Sequence, residues 1–317
     1  MNAFDWVAQI LGILAALLVA PLFLGWVNQC RAWLQNKSAP PLMLPYRGIR
    51  KLFHKDAVIA SNASPLFRLA PYVVFGTMVT AAAIIPSIAT RLPFTRAADA
   101  IALVGLFATA RVFVSLAAMD VGTAFGTLGA RREMMIGFLA EPALLMVIFV
   151  ASLIGATTAL PQISELLATQ SLALYPSLAF TAVAFTMVLL AENARIPVDN
   201  PATHLELTMV HEAMILEYSG RHLALLEAAA FVKLLLYVSV IACVFAPWGI
   251  AVSGQGFAAY LTGLGAYVAK LALGGLLLAV FETAIAKMRV FRVSDFLGAA
   301  LMLGLLATLL LFVSRET

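Results

Sequence analysis

Eight apolar runs alternate with polar stretches along the chain: Trp6–Val27, Leu69–Ala89, Ala100–Met119, Met134–Leu160, Leu172–Ala191, Leu223–Ala246, Ala259–Phe281 and Phe296–Val313. Each is close to the roughly 20 residues that a helix needs to cross a bilayer. The pattern predicts an all-α integral membrane protein with about eight transmembrane helices, a single membrane domain over residues 1–317. The fourth run is long enough to tilt or kink, and Pro142 near its predicted start supplies a kink site. Trp6 and Trp26, near the ends of the first run, suit the membrane–water interface.

The polar stretches between the runs are unequal in charge. The odd connections carry or are framed by Arg31, Lys37, Arg47, Arg50, Lys51, Lys55, Arg68, Arg111, Arg131, Arg132, Arg195, Arg221, Lys287, Arg289 and Arg292, whereas the even ones hold only Arg91 and Arg96. Basic residues concentrate on the cytoplasmic side of membrane proteins. The odd connections are therefore expected in the cytoplasm and both termini on the opposite side. Two cytoplasmic connections are longer than turns. In residues 28–68, Pro40, Pro41 and Pro45 precede Tyr46–Lys55, where Ile49, Leu52 and Phe53 share one helical face and Arg47, Arg50, Lys51 and Lys55 lie elsewhere around it. That is an interfacial helix, resting on anionic lipid or docking a soluble partner. In residues 192–221, Asn200 as N-cap, Pro201 at the first helical position and Gly220 as the stop predict a helix over Pro201–Ser219.

Composition supports the membrane reading. The 317 residues are 63% hydrophobic and 11% charged, against roughly 45–50% apolar and about 25% charged in soluble domains. A soluble enzyme is excluded, and no nucleic-acid partner is expected beside the lipid bilayer. The first run has no basic residue ahead of it, and Asp5 stands where a signal peptide would be basic, so it reads as a permanent helix. Cys30 and Cys243 lack CxxC spacing, which leaves no ligand set for a structural zinc or an iron–sulfur cluster.

The chemistry-bearing residues gather in the fifth connection. Glu192, Asp199, Glu206, Glu212 and Glu217 lie there, and Glu141 joins them if the fourth helix packs alongside. On a continuous helix, Glu206 and Glu217 share one face with Val210 and Ala213 between them. Acids in a stripe beside a membrane domain suit a proton relay or a water-filled cavity, and equally a solvated helix. Glu141, Lys233, Lys270 and Glu282 lie within or at the edges of apolar runs. A charge at mid-bilayer costs at least roughly 2.5–3.5 kcal/mol, so such groups face a cavity or one another. Glu192 and Glu282 are near enough to helix ends to reach the interface, whereas Lys270 is deep. His211-Glu-Ala-Met-Ile215 starts like a zinc-protease HExxH but lacks its second histidine, and His204 is too far along a helix to replace it.

Glu192-x-x-Arg195-x-Pro197-x-Asp199, Glu206-Leu207 and Glu217-Tyr-Ser-Gly220 resemble the signature of the complex I H subunit, NADH dehydrogenase subunit 1. Met119–Gly126, Gly129-Ala-Arg-Arg-Glu133 with Glu141-Pro142, Tyr46–Leu52 and Phe281-Glu282 through Arg289 are similar to the homologous membrane subunit of group 4 nickel–iron hydrogenases, of the formate hydrogenlyase subunit 4 or hydrogenase-4 component C type. His204 stands where that pattern has an acid, and the Asp199–Glu217 segment is longer than usual.

The resemblance implies a non-catalytic subunit of an oxidoreductase complex in the bacterial inner membrane, which anchors a soluble electron-transfer arm and couples to proton transfer. Glu141, Glu192, Asp199, Glu206, Glu212, Glu217, Lys270 and Glu282 are then the candidate proton-transfer residues, and Arg47, Arg50, Lys51, Arg131, Arg132 and Arg195 the candidate partner interface. The implied partners are hydrogenase large and small subunits, an iron–sulfur subunit and antiporter-like membrane subunits. They, not this chain, would hold the nickel–iron centre and iron–sulfur clusters. A quinone-site subunit of complex I is the alternative. A stand-alone secondary transporter fits less well, because the two halves show no internal repeat.

Overall fold

A computed structural model describes residues 3–86, 90, 93–94, 99–169, 176–199, 209–250, 257–286, 288 and 292–316. Among them every regular element is a helix: α1 (Ala3–Leu34), α2 (Leu44–Phe53), α3 (Pro65–Ile84), α4 (Ala100–Asp120), α5 (Ala124–Gly155), α6 (Leu160–Thr169), α7 (Pro176–Glu192), α8 (His211–Ile215), α9 (Gly220–Val244), α10 (Phe257–Ala284) and α11 (Val293–Glu316). Seven of these (α1, α3, α4, α5, α9, α10 and α11) are long and apolar enough to cross a membrane, and α7 is a shorter apolar helix. With α7 counted the bundle has about eight spans, as the apolar pattern predicts.

The helix starts follow local chemistry. Ser64 caps α3 by accepting from the Leu66 amide at 3.1 Å, and Asp99 caps α4 by accepting from Ile101 at 2.8 Å. Around them the bundle packs on α9, whose residues Leu234–Val240 are buried without interruption. Helices α1, α3, α7 and α10 all touch α9, α4 packs between α3 and α5, and α11 packs on α5 and α7.

The odd connections lie together at one end of the bundle. Asn62 Nδ2 donates to the Val121 carbonyl at 2.6 Å, and Asp120 Oδ2 accepts from the Ser64 amide at 2.7 Å. Val58 and Ser219 exchange bonds of 2.8 and 2.9 Å, and the Met288 amide donates to Pro197 at 2.9 Å. At the other end Gln9 bonds Ala83 and Phe94, Thr90 bonds Glu165, and Ala100 pairs with Thr158.

Two expectations need correction. The fourth span starts ten residues earlier than its apolar run, at Ala124, so Arg131, Arg132 and Glu133 are helical and Pro142 lies well inside α5. Arg111, read as framing a connection, is buried near the middle of α4. Hydropathy ends a run at charges, but charges that find partners inside the bundle do not end a helix.

The helix expected over Pro201–Ser219 also differs. Residues 200–208 lie outside the described residues; beyond them only α8 is helical. Tyr218 explains the break. Its hydroxyl donates to the Phe67 carbonyl at 2.9 Å, and its ring stacks on Phe67 at 3.9 Å. Burial, with Asp120 nearby, holds this phenol well above its usual range, so it stays a neutral donor. Gly220 does not stop a helix; it starts α9 at φ +54, where a Cβ would meet Lys55 O at 2.7 Å and Asp56 O at 2.8 Å.

Candidate functional site

Arg111 organises the interior. Its Nη1 is 2.7 Å from Glu141 Oε1, its Nη2 contacts Glu192 Oε1, and its Nε lies 3.4 Å from Glu133 Oε1. Lys233 of α9 closes the group from the other side, with Nζ 2.9 Å from Glu192 Oε2 and 2.8 Å from the Glu192 carbonyl. His211 Nε2 comes within 3.5 Å of Glu133 Oε2. Five elements, α4, α5, α7, α8 and α9, thus each contribute a charged or titratable side chain.

The placement has sequence-level causes. α7 ends at Glu192, near the level of mid-α4 and mid-α9, because Ala194 at φ +49 and Arg195 turn the chain there. The small residue Gly137 lets the Arg111 guanidinium lie against α5; its Cβ position is in contact with Arg111 Nη1. Gly129 in the same helix lets the chain before α8 approach, since a Cβ there would be 2.8 Å from Val210 O. Arg132 donates to the Met209 carbonyl at 3.1 Å, and Asp199 accepts from the Val210 amide at 3.2 Å. These two bonds fix the segment that carries His211.

A cavity of about 490 Å³ opens beside this group. Leu24, Val74, Met78, Leu226 and Phe231 form part of its apolar wall, while Arg111, Glu133, Glu192, His211 and Lys233 are among its charged lining. Asp199, Glu212 and Glu227 also line it. Asn193, Ala194 and Arg195 line it where the fifth connection crosses, so it lies toward the end that gathers the odd connections. A second ion group stands there: Arg195 is 3.2 Å from Glu282, and Arg31 of α1 approaches the same carboxylate at 3.6 Å.

The candidate residues therefore divide. Glu141, Glu192 and the missed Glu133 meet on Arg111, while Asp199 and Glu212 line the cavity. Glu282 pairs with Arg195 and Arg31. Glu217 is exposed in the turn after α8, outside the cavity lining, and Glu206 lies outside the described residues. Lys270, half-buried at the middle of α10, sits beside Cys243 of α9 and away from the cavity. Arg47, Arg50, Lys51 and Arg131 are exposed.

Arg111, Glu133, His211 and Arg31 were not among the site residues read from sequence, and Lys233 was read only as a span charge that faces a cavity or another charge. Arg111 and Lys233 carried a usable signal, because each interrupts an apolar run. For His211 and Arg31 nothing in the spacing indicated a partner. Among the described residues no group of three or more His, Cys, Asp or Glu side chains could hold a metal ion.

A bundle of long apolar helices with a charge group in its interior beside a cavity at one end defines a multi-pass membrane protein. The family model described as NADH dehydrogenase matches residues 8–313, and the chain belongs to that family, the NADH dehydrogenase subunit 1 family. Formate hydrogenlyase subunit 4 of Escherichia coli (strain K12) is 34% identical over 277 residues, covering 86% of this chain and 87% of its own length. Hydrogenase-4 component C of the same organism is 33% identical over 274 residues, covering 86% and 85%. A chain of an archaeal respiratory membrane complex, the membrane-bound sulfane sulfur reductase, superimposes with a TM-score of 0.78 over 96% of this chain and 99% of its own. At 16% identity that match shows the shared fold alone. This chain is a multi-pass membrane subunit of a multisubunit respiratory complex.

Proposed function

We propose that this chain anchors the soluble electron-transfer arm of a hydrogenase-type complex to the bacterial inner membrane and carries part of its proton coupling through the Arg111 group. One observation carries the reading. Among the described residues, Glu133, Glu141 and Glu192 gather on two basic side chains, Arg111 and Lys233. Fully ionised, the group holds one uncompensated negative charge near the middle of the spans, where an unbalanced charge is costly. A proton balances it. His211, partly exposed to the cavity and 3.5 Å from Glu133, is placed to pass that proton inward. Arg111 then redistributes its contacts among the three carboxylates.

The odd connections face the cytoplasm in this reading, and both termini the opposite side. Arg131, exposed at the end where the cavity lies, is offered to the soluble arm, whereas Arg132 and Arg195 are taken up by Met209 and Glu282. The arm would be hydrogenase large and small subunits with an iron–sulfur subunit, carrying the nickel–iron centre and clusters; antiporter-like subunits would complete the membrane part.

Replacing Glu141 or Glu192 by Gln keeps size and most hydrogen bonding but removes the titrating proton. The expected outcome is an assembled complex that loses turnover or its coupling to the proton gradient, both measured in the same membranes. Assembly failing before turnover would support a purely structural role for these acids. Unchanged coupling in both assembled variants would dismiss the relay.

A second reading, a quinone-site subunit, draws support from the cavity itself. Its volume suits a small ring, and apolar walls lead to a charged end with His211. Extraction of the purified complex for bound quinone tests it: stoichiometric quinone lost on His211→Leu favours this reading, and none in the intact complex removes it.

A further inference from the structure

We infer that the basic arc of α2 is a binding site for the phosphates of anionic phospholipid in the leaflet on the side of the odd connections. At 100° per residue, Arg50, His54, Arg47 and Lys51 occupy one arc of about 100°, while Leu52, Pro45, Ile49, Phe53 and Tyr46 fill another. The four basic side chains together line one shallow hollow of about 280 Å³, with no carboxylate in its lining. His54 is held there by a 2.7 Å bond between its Nδ1 and the Arg50 carbonyl. The surrounding sequence is equally one-sided: from Arg31 to Lys55 there are six Lys and Arg and no acid.

The depth of α2 selects lipid over a soluble subunit. After α1 ends at Leu34 the chain turns back along it. Gln29 Nε2 donates to Pro40 O at 3.0 Å, and the Leu42 carbonyl contacts Gly25. The Tyr46 hydroxyl then donates to the Leu18 carbonyl, inside the apolar run of α1. Gly25 lies about 13 Å and Leu18 about 24 Å below Leu34 along the helix. α2 is therefore sunk to the level where α1 is still apolar, and no residue of α2 is buried by the protein. Met43, Leu44 and Phe53 are about half exposed beside the arc, at 53%, 49% and 50%. An apolar rim around cationic heads is what acyl chains and phosphates together satisfy. A water-soluble surface would leave the rim uncovered. The contact to a neutral lipid would lack the charge, because basic residues near a membrane act through its anionic lipids.

The test uses the intact complex carrying Phe53→Trp as a reporter, reconstituted in nanodiscs with brominated phosphatidylglycerol or brominated phosphatidylcholine over the same series of mole fractions. Fluorescence of the same complex without the reporter is subtracted. Phosphatidylglycerol should quench the reporter at a mole fraction on the order of tenfold lower than phosphatidylcholine. Arg47→Gln, Arg50→Gln and Lys51→Gln combined should abolish that preference, and each alone should reduce it. If the triple variant does not assemble, the charge-retaining Arg47→Lys with Arg50→Lys must keep the preference and the single Gln variants must weaken it. Inorganic phosphate at matched ionic strength should leave quenching unchanged. Equal quenching by the two lipids, displacement by inorganic phosphate, or loss of the soluble arm from the triple variant with lipid preference intact would each overturn the assignment.

Discussion

At the scale of single residues, Arg111 owes its position to what faces it. A guanidinium offers five donors in a rigid fork, and three carboxylates on two helices take up its charge while Lys233 shares the load at Glu192. Arg111 is the one charge in its apolar run, and Lys233 shares its run only with Glu227 near the start, so the need for partners was legible. Which partners they find was not, because contacts between residues 81 or 41 positions apart leave no local periodicity. The glycines were silent for the same reason. Gly137 is needed only because Arg111 passes over it, and a Cβ would meet Arg111 Cδ at 3.0 Å and Cζ at 3.2 Å as well as Nη1. Gly137→Ala should therefore push the guanidinium off Glu141. We expect a modest stability cost of about 1–3 kcal/mol, typical of overpacking, with a disproportionate loss of turnover. Thermal unfolding and turnover of the purified complex measure the two; wild-type turnover in Gly137→Ala would mean that the exact placement of Arg111 is unimportant.

At the scale of elements, the apolar runs located the seven described helices that are long and apolar enough to cross lipid, together with the shorter apolar α7, since a helix crossing lipid must be long, apolar and internally hydrogen-bonded. Their ends were less legible. α5 runs ten residues past its apolar stretch because Glu133 is buried on Arg111 and Arg132 reaches Met209, so neither charge needs water. The polar connection after α7 misled in the opposite direction. Caps and helix formers promised one long helix, but the anchoring of Tyr218 on Phe67 and of Ser219 on Val58 leaves only the short α8 among the described residues 209–219. With that helix broken, the shared face proposed for Glu206 and Glu217 loses its basis on the Glu217 side. Gly220→Ala tests the joint. A Cβ there combines φ +54 with contacts under 3 Å to the backbone of Lys55, Asp56 and Ala57. A destabilisation of about 1–3 kcal/mol is expected, read as a lower thermal midpoint of the purified complex, and an unchanged midpoint would show that residues 55–57 yield freely.

At the scale of the whole molecule, the alternation of basic and neutral connections anticipated a two-ended body, and the hydrogen bonds that join each set to itself agree with it. Cysteines placed at Lys51 or Glu212 should react with an impermeant thiol reagent only from the cytoplasm, and cysteines at Thr158 or Glu165 only from outside. The reverse pattern in intact cells and inverted vesicles would turn the molecule over. The position of the Arg111 group within that body has an electrical consequence. Arg111 lies about 13 Å from the Asp120 end of α4 and about 16 Å from its Ala100 end, and the cavity reaches it from the Asp120 side. Water in such a cavity carries the potential of one compartment down to the group, and the remaining field falls across the bundle beyond it. A charge crossing the full membrane exchanges about 2.3 kcal/mol per 100 mV. A proton that only loads the Arg111 group samples a small part of that drop, while one that leaves toward the other side meets nearly all of it. Loading should thus respond to pH and hardly to voltage, and release should respond to both.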